Sequence, residues 1–235
     1  MSDSSRPGLP PFGSAPGAAA EGLETPEFLA SLLADGDDEL AAWVVSRALG
    51  GRPRAEVYDT LVRPAMQLVG DRWESGEWSI SVEHLASVAL NGALARIRPA
   101  DLPETRVGPT AVLAAPEHEH HVAGLACLAQ VLEDDGWHVE NLGANVPAED
   151  LVGFVSGRSV DLVALSVGTP ERLPALLRTV EALRSAEASA GLPIIVGGHG
   201  VAGTGVDVKG ADLVANSLAD AETFAMALPV APTAK

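Results

Sequence analysis

Three histidines and two glutamates stand together in one short segment, residues 116–124. Imidazole is the commonest protein ligand for a metal, and a nearby carboxylate can hold its second nitrogen and fix the tautomer. The residue types leave three interpretations open: a solvated polar loop, a zinc site with three or four converging ligands, or a planar metal cofactor with one axial histidine. The segment offers His118, His120 and His121 beside Glu117 and Glu119.

From residue 110 onward, short apolar runs alternate with helical stretches, and these elements must position the histidine segment. Runs at 111–115, 138–142, 162–165, 194–196 and 212–214 suit buried parallel strands, and helices are predicted near 121–135, 148–155, 171–190 and 220–228. The pattern predicts an α/β fold with a Rossmann- or flavodoxin-like, doubly wound parallel sheet over 110–230. Ligands of such sheets bind beyond the carboxyl ends of the strands, where residues 115–121, 166–170 and 197–200 lie.

The preceding half of the chain has a helical pattern over residues 25–98. We predict helices at 27–34, from Asp37 or Asp38 to about Leu49, from Pro53 to about Gly70, and at 81–98. Four short helices with brief connections predict a four-helix bundle, with a kink at Pro64. Residues 1–24 are rich in Ser, Pro, Gly and Ala and are predicted to be a disordered tail, and residues 99–109 an interdomain linker.

Composition narrows the classes of partner. The formal charge is −17, with 32 acidic and 15 basic residues, and no basic cluster offsets it. Direct binding to nucleic acid or to an anionic membrane is therefore not expected. Cys127 is the single cysteine, so no intrachain disulfide can form, which fits a cytoplasmic protein. No apolar run is long enough to span a bilayer.

The spacing of the polar residues resembles that of the cobalamin-binding domain family. Its signature is an acidic residue, one residue, His, two residues and Gly, followed at set distances by Ser and by Gly-Gly. Here 41 residues (125–165) separate the first element from the serine, and 28 residues (169–196) precede the glycine pair. Glutamate replaces the usual aspartate, and Ser-Val-Gly replaces Ser-x-Leu. The matching residues are Glu119, His121, Gly124, Ser166, Gly168, Gly197 and Gly198.

The resemblance implies a role for each position. In this family the benzimidazole of the cofactor leaves cobalt for a slot beside the sheet, and a histidine replaces it. His121 would then be the metal ligand, oriented by Glu119. Ser166 would bond the benzimidazole, while Gly124 and the Gly197-Gly198 pair would leave room for the corrin and the nucleotide tail.

A second motif lies in the helical half, where nine residues separate Trp73 from the Glu83-His84 pair. This spacing resembles the light-sensing cobalamin receptors of the CarH type, in which it marks the bundle that covers the adenosyl group. The resemblance implies that Trp73 packs on that group and that Glu83 and His84 shape its pocket. The plain alternative is that Trp73 is ordinary bundle core. Some of these receptors have a histidine after the tryptophan, where this chain has Glu74.

These resemblances predict a non-enzymatic signalling module that binds cobalamin, with adenosylcobalamin as the expected form and light as the signal. The alternative is a corrinoid carrier that presents methylcobalamin to a methyltransferase. The arrangement also resembles the photocobilins, which adds biliverdin as a second, non-covalent chromophore. The CarH-type receptors carry an N-terminal DNA-binding domain, which residues 1–24 do not resemble. We therefore expect output through homo-oligomerisation or a separate partner protein.

Overall fold

The computed structural model describes residues 23–97 and 108–229, which leaves most of the predicted tail and linker outside the described residues. The first part is helical, as predicted: α1 (Pro26–Ala34), α2 (Asp38–Ala48), α3 (Arg54–Val57), α4 (Arg63–Glu74) and α5 (Ile80–Arg96). Side-chain caps begin two of them, because Thr25 accepts the Phe28 N–H and Asp37 accepts the Leu40 N–H. Within these ranges no helix has both the length and the apolar character needed to cross a bilayer.

The third helix of the bundle carries a π-helical turn (Tyr58–Val62) between α3 and α4. Here the Arg63 N–H donates to the Tyr58 carbonyl, five residues back. Proline has no N–H and its ring crowds the carbonyl four residues earlier, so the turn accommodates Pro64 without ending the helix. The sequence predicted an end near Gly70, but the helix continues to Glu74, which places Trp73 on its last turn.

The second part is a five-stranded parallel sheet: β1 (Thr110–Ala114), β2 (His138–Asn141), β3 (Leu162–Ser166), β4 (Ile194–Gly197) and β5 (Leu213–Val214). The strand order is β2-β1-β3-β4-β5, with Ala111 beside Leu162 and Val163 beside Ile194. One face packs on α6 (Ala123–Asp134) and α9 (Leu218–Met226), and the other on α7 (Ala148–Ser156) and α8 (Leu173–Ser185). The predicted α/β fold class is confirmed.

Two helix boundaries around the sheet differ from the prediction where side-chain hydrogen bonds intervene. The helix expected near His121 begins at Ala123, since the preceding backbone is bonded to Glu119. The helix expected to reach residue 190 ends at Ser185, where the Ser189 hydroxyl donates to the Leu183 carbonyl. A short 3₁₀ turn (Pro170–Arg172) comes before that helix.

Helix α6 joins the two parts of the chain, because it contributes to both hydrophobic cores. Cys127 and Val131 pack into the core of the helical bundle, whereas Leu125 and Leu132 pack against the sheet. A buried polar pair reinforces this junction. The Tyr58 hydroxyl donates to Gln130 Oε1 at 2.6 Å, and the Gln130 amide donates to the Leu94 carbonyl at 2.8 Å.

The π-helical turn also holds the start of α9. The Asp59 carboxylate accepts the N–H groups of Leu218 and Ala219 at 3.0 and 3.1 Å, across 159 residues of sequence. Arg63 donates to the Asn216 carbonyl at 2.6 Å, and the Asn216 side chain accepts the Gly203 N–H. The helical bundle is thus bonded to the β5–α9 connection and, through it, to the loop after β4.

Replacing Asp59 with alanine is expected to lower the free energy of unfolding by about 1–2 kcal/mol. Two N–H groups at the start of α9 would lose their acceptor, and that end of the helix would lose a favourable negative charge. Urea unfolding monitored by circular dichroism measures the change. Glu56→Ala is the control, because it removes an exposed carboxylate from the same helix and should cost little. Equal stabilities of the two variants would contradict the prediction.

Candidate functional site

The predicted site residues Glu119, His121 and Gly168 lie at the point where the strand order of the sheet reverses. Strands β1 and β3 are neighbours, but the chain leaves β1 toward β2 on one side and leaves β3 toward β4 on the other. A crevice opens at such a switch point, beyond the carboxyl ends of the two strands. The segment that follows β1 carries Glu119 and His121, and the segment that follows β3 carries Gly168.

Glu119 fixes the position of His121. Its side chain is 1% exposed, and its Oε1 accepts both the backbone N–H of His121 at 2.8 Å and the Nδ1 of its ring at 2.6 Å. The second oxygen, Oε2, accepts the Gly168 N–H at 2.8 Å. The imidazole is 55% exposed. With Nδ1 held by the carboxylate, Nε2 is the nitrogen that the ring can offer to a metal.

The pKa values follow from these bonds. Burial acts to raise the pKa of Glu119, but the hydrogen bonds from His121 and Gly168 outweigh it and lower that pKa to about 2. The hydrogen bond to Glu119 raises the pKa of His121, against the effect of burial. The negative charge of Glu83 adds to this rise, and the positive charge of Arg172 opposes it. Charged groups from α5 and from the turn after β3 thus both influence the pKa of His121.

Small residues surround the ring and the end of β3. A methyl group on Gly168 would lie 2.6 Å from Cγ of His121, so the ring occupies the space that a side chain would fill. The Ser166 hydroxyl lies 3.5 Å from the corresponding position on Gly124 and 2.8 Å from that on Gly198. Gly197, at the end of β4, pairs with Ser166 across the sheet, so small residues meet at the carboxyl ends of β3 and β4.

The helical bundle presents Trp73, Glu83 and His84 where α4 turns into α5. Trp73 is 43% exposed, so the structure does not place it in the bundle core. The Glu83 carboxylate is bonded to His84 Nδ1 at 2.6 Å and accepts the Ser87 hydroxyl at 3.1 Å. Trp78 is a partly buried residue on the bundle core, with the Arg72 guanidinium 4.7 Å from its ring centroid.

The remaining histidines of the segment stand apart from this arrangement. His118 and His120 are exposed, and His118 lies 3.8 Å from Glu117. Within residues 23–97 and 108–229, no group of three or more His, Cys, Asp or Glu side chains converges as a metal site would. Of the three histidines in this segment, His121 is the one whose ring is bonded to a buried carboxylate. Sequence reasoning missed Arg172 and Asn145, which carry no feature of the spacing motif.

Cys127 is expected to be inert to thiol reagents in the folded protein. Its side chain is buried in the bundle core, and burial raises the pKa of the thiol to about 12, so the reactive thiolate is scarce at neutral pH. Labelling with a chromogenic disulfide at pH 8, with and without denaturant, measures this. Native labelling as fast as labelling in denaturant would show that the thiol is accessible.

Comparisons with known proteins show the family of the chain. Two family models, both described as B12 binding domain, match residues 27–98 and 109–225. The chain is 35% identical over 156 residues to the HTH-type transcriptional repressor CarH of Myxococcus xanthus, an alignment that covers 66% of this chain and 51% of that protein. The chain therefore spans about half the length of that relative.

Other relatives are matched over most of their length. The trimethylamine corrinoid protein 1 of Methanosarcina mazei is 28% identical over 192 residues, which is 80% of this chain and 89% of that protein. Among solved structures, the monomethylamine corrinoid protein of Methanosarcina barkeri superposes with a TM-score of 0.69. That superposition has 20% sequence identity and covers 84% of this chain and 95% of the other, and it supports the fold.

Proposed function

This chain belongs to the family of B12-binding domain proteins, and we propose that it is a light sensor that holds adenosylcobalamin between its helical bundle and its sheet. The proposal is carried by one observation. Trp73 is half-exposed and lies on the bundle with the Glu83 carboxylate, where α4 turns into α5, and the Glu83 charge contributes to the raised pKa of His121. A ligand bound at His121 would thus meet the bundle on its other side.

The residues present fit a cobalamin. His121 would bind the metal through Nε2, since Glu119 already holds Nδ1. Ser166, at the end of β3, lies close to Gly124 and Gly198 and would hydrogen-bond the nucleotide tail there. Gly168 would keep the His121 ring in place, because the ring packs against its Cα.

The helical bundle would respond to the loss of the adenosyl group in light. When bound, adenosylcobalamin would bring a cobalt–carbon bond that visible light breaks. In the dark, Trp73 would cover the adenosyl group, while Glu83 would hydrogen-bond it and remain oriented by His84 and Ser87. Without that group, Trp73 returns to water, and the loss of its apolar contacts favours a shift of the bundle. Output would pass through a second copy or a partner protein.

The second candidate function is a corrinoid carrier for methyl transfer. The observation that favours it is coverage: the trimethylamine corrinoid protein is matched over 89% of its length, the CarH repressor over 51%. A carrier must expose the upper face of its cofactor to a methyltransferase, whereas Trp73 and Glu83 would cover that face. Neither candidate function makes the chain itself a catalyst. Biliverdin as a second chromophore remains a prediction of the sequence resemblance.

Absorption spectra and small-angle X-ray scattering before and after green light test the proposal. Protein is loaded in the dark with adenosylcobalamin, with methylcobalamin, or with adenosylcobalamin plus biliverdin. We expect light to change both the spectrum and the scattering of the adenosylcobalamin sample. Trp73→Ala should bind the cofactor but lose the change in scattering. The control is Leu177→Ala, which removes an exposed apolar side chain from a different helix, α8, and should behave like the unmodified protein.

Two outcomes would overturn the light-sensor assignment. If illumination bleaches the bound cofactor but leaves the scattering unchanged, the bundle does not respond to light. If a methyl donor and methyltransferase turn over the methylcobalamin form, the carrier function takes its place. A red-absorbing band that stays with the protein through gel filtration would identify a bound bilin.

A further inference from the structure

The loop that carries His121 is bonded to a second loop, which joins β2 to α7. The Val146 N–H donates to the Ala115 carbonyl at 2.9 Å, and residues 116 and 146 form an isolated parallel bridge. Asn145 makes two further bonds. Its N–H donates to the Glu119 carbonyl at 2.9 Å, and its side-chain Oδ1 accepts the His118 N–H at 2.7 Å.

The backbone at this junction is unusual. Among the described residues, His118 and Asn145 are the non-glycine residues with positive φ, at 66° and 57°. The Glu119 N–H donates to the Pro116 carbonyl, which makes residues 116–119 a β-turn with His118 at its third position. That position favours glycine or asparagine, so histidine there is costly and needs support from outside the turn. The Asn145 carboxamide provides that support at the His118 N–H.

The β-turn ends at Glu119, the residue that orients His121. Its carbonyl is bonded to Asn145, and its carboxylate accepts the N–H groups of His121 and Gly168. Resting on the proposed function, we infer that Asn145 is a positioning residue for the metal ligand: it holds the turn, the turn places Glu119, and Glu119 sets the tautomer and direction of His121. Asparagine suits this place because it adopts the left-handed conformation more readily than other side chains.

Three variants separate the contributions of Asn145. Asn145→Gly keeps the left-handed conformation but removes the carboxamide, and Asn145→Asp restores an acceptor oxygen. Asn141→Ala is the matched control, since that asparagine ends β2, just before the same connection, and its side chain accepts the Gly143 N–H rather than a group of the histidine segment. Asn141 and Asn145 are both exposed, so all three proteins are expected to fold.

Two measurements read out the position of His121. In cofactor-free protein, NMR of ¹⁵N-labelled histidine detects the Nδ1 proton held by Glu119, assigned with His121→Ala. In protein loaded with cobalamin and reduced to cobalt(II), electron paramagnetic resonance shows whether ¹⁵N labelling of histidine alters the nitrogen splitting. We expect Asn145→Gly to lose the protected proton and to lower the ratio of histidine-bound to histidine-free cofactor about tenfold. Asn145→Asp and Asn141→Ala should keep both signals.

Unchanged signals in Asn145→Gly would overturn the inference, and so would an equal loss in Asn141→Ala. The proposed function fails in a different way. If the unmodified protein shows the protected Nδ1 proton but no histidine splitting with cobalamin, His121 is not the ligand. The NMR comparison of the variants would then still decide whether Asn145 positions the ring.

Discussion

Cobalamin bound to His121→Ala protein is expected to show the absorption of the cofactor without a nitrogen ligand beneath cobalt, and its affinity should fall at least about tenfold. Glu119 is bonded to Nδ1 of the imidazole at 2.6 Å, which leaves Nε2 as the ring nitrogen that can bind a metal. The residues around Ser166 that would hold the nucleotide tail are unchanged by this substitution, so binding should weaken without being abolished. Titration of the protein into cobalamin, followed by visible absorption, gives the spectrum and the dissociation constant together.

His120→Ala is the control for this substitution. That residue is a neighbour of the same type, is exposed, and belongs to the same segment. Its replacement should leave the spectrum and the dissociation constant unchanged. If His120→Ala changes the spectrum and His121→Ala does not, the assignment of the ligand is wrong by one residue.

Gly168→Ala is expected to remove histidine ligation almost as completely as His121→Ala, while the protein stays folded. The new methyl group would lie 2.6 Å from Cγ and 2.7 Å from Nδ1 of His121, closer than atoms can approach. The ring is half-exposed, so it can swing away at little cost to the fold, but it then leaves Glu119. The expected spectrum is that of the unligated cofactor, and the melting temperature should fall by no more than a few degrees.

Gly153→Ala provides a matched control, because it makes the same substitution in α7 where no atom lies within 4 Å of the new methyl group. It should leave the cofactor spectrum unchanged and can raise stability slightly, since alanine is the better helix former. A Gly168→Ala protein that retains histidine ligation would mean that the segment after β3 moves to admit the methyl group. The ring would then not be fixed by that contact.

The sequence could predict those features that depend on residue type and short spacing within one segment. Glu119 and His121 are two residues apart, and a carboxylate at that distance can reach the ring, as the structure shows. Apolar runs of three to five residues located the five strands of the described residues to within one residue at each end, because buried parallel strands admit little else.

Contacts between distant segments account for what the sequence did not predict. Helix α9 begins two residues earlier than expected, because Asp59 from the bundle satisfies its first N–H groups. Asn145 looked like an ordinary loop residue, since its partners His118 and Glu119 lie 27 and 26 positions away (145 − 118 and 145 − 119). The π-helical turn likewise reflects a balance between Pro64 and the packing of Tyr58, which local propensity does not report.

The attachment of the bundle has a mechanical consequence. The bundle is hydrogen-bonded to the sheet domain through Arg54, Tyr58 and Arg63, and through the Leu94 carbonyl near the end of α5. Trp73 and Glu83 lie at the opposite ends of α4 and α5. Trp73 is ten residues beyond Arg63, about 15 Å along the helix axis. A pivot of about 10° at the attachment would therefore carry the indole about 3 Å. A rotation of the helical bundle about the π-helical turn would therefore move Trp73 and Glu83 relative to the sheet, while the hydrogen bonds at that turn stay intact.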